Sequence, residues 1–469
     1  MLRPDMRSYL FEYANAVVGF LLAVLLPLLP ATVEAQQGWT LDECMDYAIS
    51  HNAEMKHLQN EQRRREVKAQ ASQNARLPRF SGDIGGYVGT LHQSDDNNKF
   101  DATESLFNMG LMGTVPLYTG NRLSSQIKAD KYSALAAAED VRLSEQNLKV
   151  QVAAAFLQVL YNKGELKIAQ ERLEVSQLLL KRARSLYDKG KRPESDTVEA
   201  AAMVSRDEAL LTAAEGDITL ATLELKQLLN LPDSVYFDVN EPVDTSFVLH
   251  PSPISYQLSS HPSVQSANYS ILQAEQGVKT ARSGYFPTLS LVGELGTLWV
   301  NLDTKLSHNG QTSLLLPWGS LGDINYYVSG EAEWKRKNFL HGIVGLKLTV
   351  PIFDAFETKA RIRTAKVNLE DAKIAYDDAQ QRVQKDISQA WQGAVTAHKR
   401  YEAEVKAEES SALSYRYALK RYDAGMATLF DLSQSRQQWF TASENALRMK
   451  YEYLIRKRIL DIKTSFSSR

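Results

Sequence analysis

The residues able to do covalent or redox chemistry are few and badly spaced for it. The one cysteine, Cys44, excludes an intrachain disulfide, and the eight histidines show no HExxH spacing that would put ligands on one face. No nucleophile stands near a base in a recognisable motif, so the chain reads as non-enzymatic, with no metal and no cofactor. The acidic residues are more suggestive. Asp196 and Asp431 each stand six residues beyond a glycine, Gly190 and Gly425, in the segments YDKGKRPESD and YDAGMATLFD. A carboxylate in such a place caps the start of a helix. Where several copies crowd together, like charges raise one another's pKa and attract cations.

These positions belong to a long duplication. Thr114, Val115 and Pro116 recur as Thr349, Val350 and Pro351, Gly190 as Gly425 and Asp196 as Asp431, always 235 positions on. A period this long means two fused copies of one structural unit rather than a solenoid of small repeats. The chain divides into a leader (1–35), a first repeat (36–231), a linker carrying five prolines (232–262) and a second repeat (263–469).

In the leader, Arg3 and Arg7 precede an apolar run from Ala16 to Leu29, and Val33, Glu34 and Ala35 form a small-residue site before Gln36, as in a secretory signal. Asp42 and Glu43 precede Cys44 where lipid attachment needs small residues, so Cys44 is expected to be an ordinary helix residue. A net charge of −2, from 54 basic and 56 acidic side chains, gives no electrostatic ground for binding nucleic acid.

Each repeat reads as a short helix, a β-hairpin and a long pair of helices. In the first, the helix runs from Leu41 to Gln73, the hairpin over 79–116 and the long pair over 121–230. In the second, they are His261 to Arg282, 287–351 and 356–462. Strand alternation is clear where Phe107, Met109, Leu111 and Val115 share one side and Asn108, Gly110 and Thr114 the other, and SDDNNKFDATE reads as a polar tip. From Asn121 to Lys189 there is no proline and one internal glycine, Gly164, which predicts a helix on the order of 100 Å long. The second hairpin is longer, with 64 positions between its prolines (287 and 351) against 38 between Pro78 and Pro116. The extra residues bring Trp299, Trp318, Tyr326, Tyr327 and Trp334, either in a loose loop with some strand or in an exposed surface element between Val300 and Asn338.

Four amphipathic strands cannot close a membrane barrel, because the smallest need about eight. An open edge cannot face lipid either, since its N–H and C=O groups would lack partners. The strands must therefore be shared among copies, and three copies are the smallest solution that leaves a lumen. The fold class expected is mainly α with β: two tandem repeats, long antiparallel helical hairpins forming an α-barrel, and four strands contributed to a shared trimeric transmembrane β-barrel.

On the doubled VPL and VPI step from strand to helix, the proline after the first helix of each half and the paired turns, the chain resembles the TolC family of outer-membrane efflux and export ducts. The resemblance implies a homotrimer set in outer-membrane lipid, with its helical barrel in the periplasm. It also implies a periplasmic adaptor and an inner-membrane pump as partners, and passive conduction of drugs, metabolites or ions. It carries Gly190 and Gly425 over as adaptor-docking tips, and Asp196, Asp431, Tyr422, Arg192 and Gln434 as residues of the periplasmic aperture. Gln434 stands where the family has a second aspartate, and Met426, Ala427 and Thr428 stand where it has a gate arginine. The same fold serves type I protein secretion, and a periplasmic adaptor is the remaining reading. An adaptor lacks two membrane-type hairpins in register with two long helix pairs. The purified protein is expected to begin near Gln36 without an acyl group on Cys44, which intact-mass measurement checks.

Overall fold

The computed structural model describes residues 38–95, 98–239, 258–304, 311–316, 319–325 and 335–464. The expected leader, most of the linker, and Trp318, Tyr326, Tyr327 and Trp334 lie outside them. Helix α1 (Leu41–His51) opens on a reciprocal cap: the Thr40 N–H donates to Glu43 Oε2 at 2.8 Å and the Glu43 N–H donates to Thr40 Oγ1 at 3.4 Å. One helix was expected as far as Gln73, but the chain breaks at Asn52 and restarts as α2 (Ala53–Asn74). Asn52 Oδ1 accepts from the N–H groups of Glu54 (2.9 Å) and Met55 (3.3 Å), so its side chain competes with the helix backbone and caps the new start. Cys44 is buried in α1, and burial pushes its thiol up to about 12.

Strands β1 (Arg79–Asp95), β2 (Asn98–Tyr118), β3 (Thr288–Thr304) and β6 (Lys335–Thr349) form one antiparallel sheet in the order β1-β2-β3-β6. Both repeats thus contribute a hairpin, and β2 joins β3 between them. The segment expected as a polar tip is strand up to Asp95 and again from Asn98, because ladder hydrogen bonds need no apolar side chains. Within the longer second hairpin, β4 (Gln311–Leu316) and β5 (Gly319–Asn325) pair with each other and, among the described residues, with no other strand.

The long helices are α3 (Arg122–Asp188) and α6 (Glu357–Asp423), of 67 residues each, and their return partners are α4 (Glu194–Leu229) and α7 (Leu429–Thr464), of 36 each. Helix α5 (Pro262–Arg282) starts on His261, whose Nδ1 accepts from the Ser263 N–H. The chain clusters into two compact units. One comprises His57–Ser144 and Gln257–Asp386 and holds the sheet. There α3 buries the small side chains Ala129, Ala136 and Ala137, and polar links tie it to α2, Ser72 to Asp130 and Arg65 to Ser133.

The other unit, with Glu145–Tyr256 and Ile387–Ser468, has the larger apolar core. Leu179 and Ala183 of α3, Ala200 and Met203 of α4, Tyr415, Ala418 and Tyr422 of α6, and Leu429 and Leu432 of α7 form one cluster. Beyond it α7 is tied by charge: Arg436 Nη1 donates to Asp207 Oδ2 at 2.7 Å and to the Arg172 carbonyl at 3.3 Å. The side chains of Arg436 and Asp207 are only 6% and 3% exposed. A buried pair gains little over an apolar one, but a lone buried charge is costly. Asp207→Ala or Arg436→Ala should therefore destabilise the unit by about 3–5 kcal/mol, while Asp207→Leu with Arg436→Met should come close to neutral. Denaturant unfolding of the three variants checks this.

Candidate functional site

The two long helices end alike. At the first turn the Gly190 N–H donates to the Tyr187 carbonyl (2.7 Å) and the Lys191 N–H to Leu186 (2.9 Å). At the second, Gly425 donates to Tyr422 (3.0 Å) and Met426 to Arg421 (2.8 Å). Both glycines are left-handed, with φ of +66° and +75°, as this helix ending requires. A Cβ at either would meet nothing within 4 Å, so substitution there is opposed by backbone conformation and not by space.

Beyond the turns the repeats diverge. Thr428 and Asp431 close a reciprocal cap on α7: the Asp431 N–H donates to Thr428 Oγ1 at 3.1 Å, and Asp431 Oδ2 accepts from the Thr428 N–H (3.0 Å) and hydroxyl (2.7 Å). These bonds from Thr428, backbone first, hold the Asp431 carboxyl below the usual aspartate range. The first repeat has Pro193 where the second has Thr428, and proline offers neither a hydroxyl nor an N–H. Asp196 is left to reach across, and the Tyr422 hydroxyl donates to its Oδ2 at 3.4 Å.

Tyr422 is 1% exposed, whereas its counterpart Tyr187 is 43% exposed. Burial first, and then the charge of Asp196, raise the Tyr422 phenol above its ordinary range. Arg192 completes the group. Its Nη2 donates to the carbonyls of Tyr422 (3.2 Å) and Ala427 (2.7 Å), and its guanidinium carbon lies 4.6 Å from the centre of the Tyr422 ring. Close by, Arg182 of α3 pairs with Asp423 of α6 at 3.3 Å. Of the residues expected at an aperture, the structure gathers Arg192, Asp196 and Tyr422. It leaves Asp431 in its own cap and Gln434 exposed on α7. Thr428 was not anticipated, although Thr428-x-x-Asp431 is a legible capping pattern.

The sheet has two unlike faces. Phe80, Ile84 and Val88 of β1, Phe107, Met109 and Leu111 of β2, Leu291 and Leu295 of β3, and Leu340, Val344, Leu346 and Leu348 of β6 share one face through the strand register, and all are exposed. The opposite face carries Asp83, Asn108, Glu294 and His341. There Asn108 Nδ2 donates to Asp83 at 3.0 Å, and His341 Nε2 lies 3.3 Å from Glu294. One face is thus apolar throughout, while the other mixes these polar side chains with exposed Tyr87, Met112 and Ile343, a contrast that suits a barrel wall with lipid on one side and water on the other. Among the described residues no helix is long and apolar enough to cross a membrane.

Long helical hairpins that end in glycine turns, in a chain that also forms a two-faced antiparallel sheet, are the parts expected of a duct built from helix and strand. The chain belongs to the outer membrane efflux protein family, whose model matches residues 45–231 and 254–461. It is 23% identical over 390 residues to the outer membrane efflux protein BepC of Brucella suis, covering 82% of this chain and 76% of that one. It is also 23% identical over 330 residues to the alkaline protease secretion protein AprF of Pseudomonas aeruginosa, covering 68% and 62%. The Campylobacter jejuni outer membrane channel CmeC superposes with a TM-score of 0.73 at 19% identity, over 91% of this chain and 86% of that one. Membership of this family makes the chain an outer-membrane channel protein without catalysis of its own.

Because the Asp431 pKa is depressed in the fold, its stabilisation of α7 is fully present above the unfolded aspartate value of about 3.9 and is lost as pH falls through the lower folded value. Protection of the amides at 429–433, taken relative to their intrinsic exchange rates at each pH, should therefore fall in acid below that range, and Asp431→Ala should show the low protection at every pH.

Proposed function

We propose that the chain is the outer-membrane duct of a tripartite efflux assembly, working as a homotrimer that passively conducts small molecules received from an inner-membrane pump and a periplasmic adaptor. The observation that carries the reading is a four-stranded sheet with two free edges and one lipid-compatible face, on a chain that continues into helices of 67 residues. Three such sheets supply twelve strands and a lumen. The two repeats, 36–231 and 263–469, then act as quasi-equivalent sixths of one tube. Gly190 and Gly425 are the adaptor-facing tips, where a left-handed turn keeps the helix ends short and open.

Arg192, Asp196 and Tyr422 serve in this reading as the latch of the resting mouth. Arg192 sits on the first turn and holds carbonyls of the second, replacing an arginine that the second turn lacks because Ala427 stands at the equivalent place. Arg192→Ala should widen the mouth and raise single-channel conductance in planar bilayers several-fold. Unchanged conductance removes Arg192 from the latch. In cells lacking their own duct, the chain with its cognate adaptor and pump should restore drug resistance, and Gly190→Val with Gly425→Val should abolish the rescue while trimers persist.

Protein export is the second reading, favoured by the similarity to AprF. It predicts that export of a protein substrate, rather than drug resistance, fails when the gene is deleted.

A further inference from the structure

The internal duplication carries information about a contact that a single chain cannot make. In the sheet, β2 of the first repeat pairs with β3 of the second, with Thr114 opposite Val292, Gly113 opposite Gly293 and Leu111 opposite Leu295. Counterparts lie 235 positions on for the β2 side (Pro116 to Pro351) and 209 positions on for the β3 side (Pro78 to Pro287). The counterpart of β2 is therefore β6 and that of β3 is β1, and these are the two free edges. Applying both offsets places Thr349 opposite Asp83, Leu348 opposite Ile84 and Leu346 opposite Gly86 of another copy. This register passes an independent check. It sets the exposed apolar positions of β6 beside those of β1 on one face, whereas a slip of one residue would turn one strand over. It also brings Lys347 diagonal to Asp83, opposite charges on the polar face.

Just after each pair comes an elbow with two successive left-handed residues: Gly120 and Asn121 in the first repeat, Ala355 and Phe356 in the second. Inside the chain, Gly120 must be glycine for space as well as conformation, since a Cβ there would lie 2.7 Å from Phe286 Cβ. The counterpart of Phe286 is Leu77. Where the internal seam joins no side chain to a large ring, the other seam offers one methyl to a smaller side chain. The sizes have been exchanged, as complementary packing requires. Leu77 is exposed, and Ile352, Phe353 and Phe356 around the second elbow are 96%, 76% and 66% exposed, an apolar surface that stays largely open to solvent in one chain although the Lys359 ammonium approaches the Phe356 ring.

We propose that β6 pairs with β1 of the next copy in this register and that the elbow at Ala355 seats against Leu77 of that copy. The proposal rests on the trimeric reading above but goes further, because it names which residues meet. In a Cys44→Ala background, Ala355→Cys with Leu77→Cys, and separately Leu348→Cys with Ile84→Cys, should link three chains covalently on oxidation in membranes, since facing Cβ atoms in such pairs fall within disulfide reach. Leu348→Cys with Val88→Cys, four residues out of register, should not. Trimers by native mass spectrometry that cross-link only out of register, or not at all, overturn this seam while leaving the trimer intact. A monomer overturns both. A second test needs no cysteine. Leu77→Phe alone should lower the temperature at which trimers dissociate, and Ala355→Gly added to it should restore that temperature by copying the internal seam. Equal and additive losses for the two changes would contradict the exchange of sizes.

Discussion

The rest of the structure follows from an unmet demand for hydrogen bonds. A four-stranded antiparallel sheet leaves one row of N–H and C=O groups at each edge, and in hydrocarbon each unsatisfied group costs several kcal/mol. In water the same edges would invite aggregation. The apolar face of the sheet excludes the aqueous solution as its permanent home, and the open edges exclude the single chain as a membrane-spanning unit. A chain with these two properties has a stable arrangement in lipid only if its edges find equal partners, and an internally duplicated chain already carries a template for that pairing.

Much of this was legible before any coordinates. The doubled proline steps, the glycine turns and the alternation around Met109 and Val344 announce helix pairs and strands because each rests on a local rule of backbone geometry. Other features escaped the sequence because they depend on which of two local options wins. Asn52 interrupts a helix that apolar periodicity carries straight through, since a short amide side chain can take over two backbone donors. The polar residues near Asp95 looked like a loop because the alternation signal comes from side chains, while the ladder is made by the main chain. The ion pair of Asp207 with Arg436 could not be read at all: 229 positions part the two residues, and nothing near either one marks it as buried.

At the candidate site the sequence singled out side chains but not the contacts among them. Asp196 and Asp431 look equivalent by position, yet one substitution in the preceding turn separates them. Threonine at 428 draws its aspartate into a cap, whereas proline at 193 leaves the other free to meet a buried tyrosine. Duplicated carboxylates have thus taken a structural task in one repeat and a bridging task in the other. Arg192 shows the same division of labour, because its contacts fall on the turn of the opposite repeat.

The order of strands in the sheet also governs how quickly such a chain reaches its native form. The hairpins β1-β2 and β3-β6 are each nearly local in sequence, but β2 and β3 are neighbours in the sheet although 170 positions part Tyr118 from Thr288. Closing a loop of that size early is entropically slow. Helical hairpins form from nearby residues, so folding α3 onto α4 first shortens the effective tether between the two strands. By this loop-closure argument the two halves of the sheet meet more readily once the long helices have drawn their ends together.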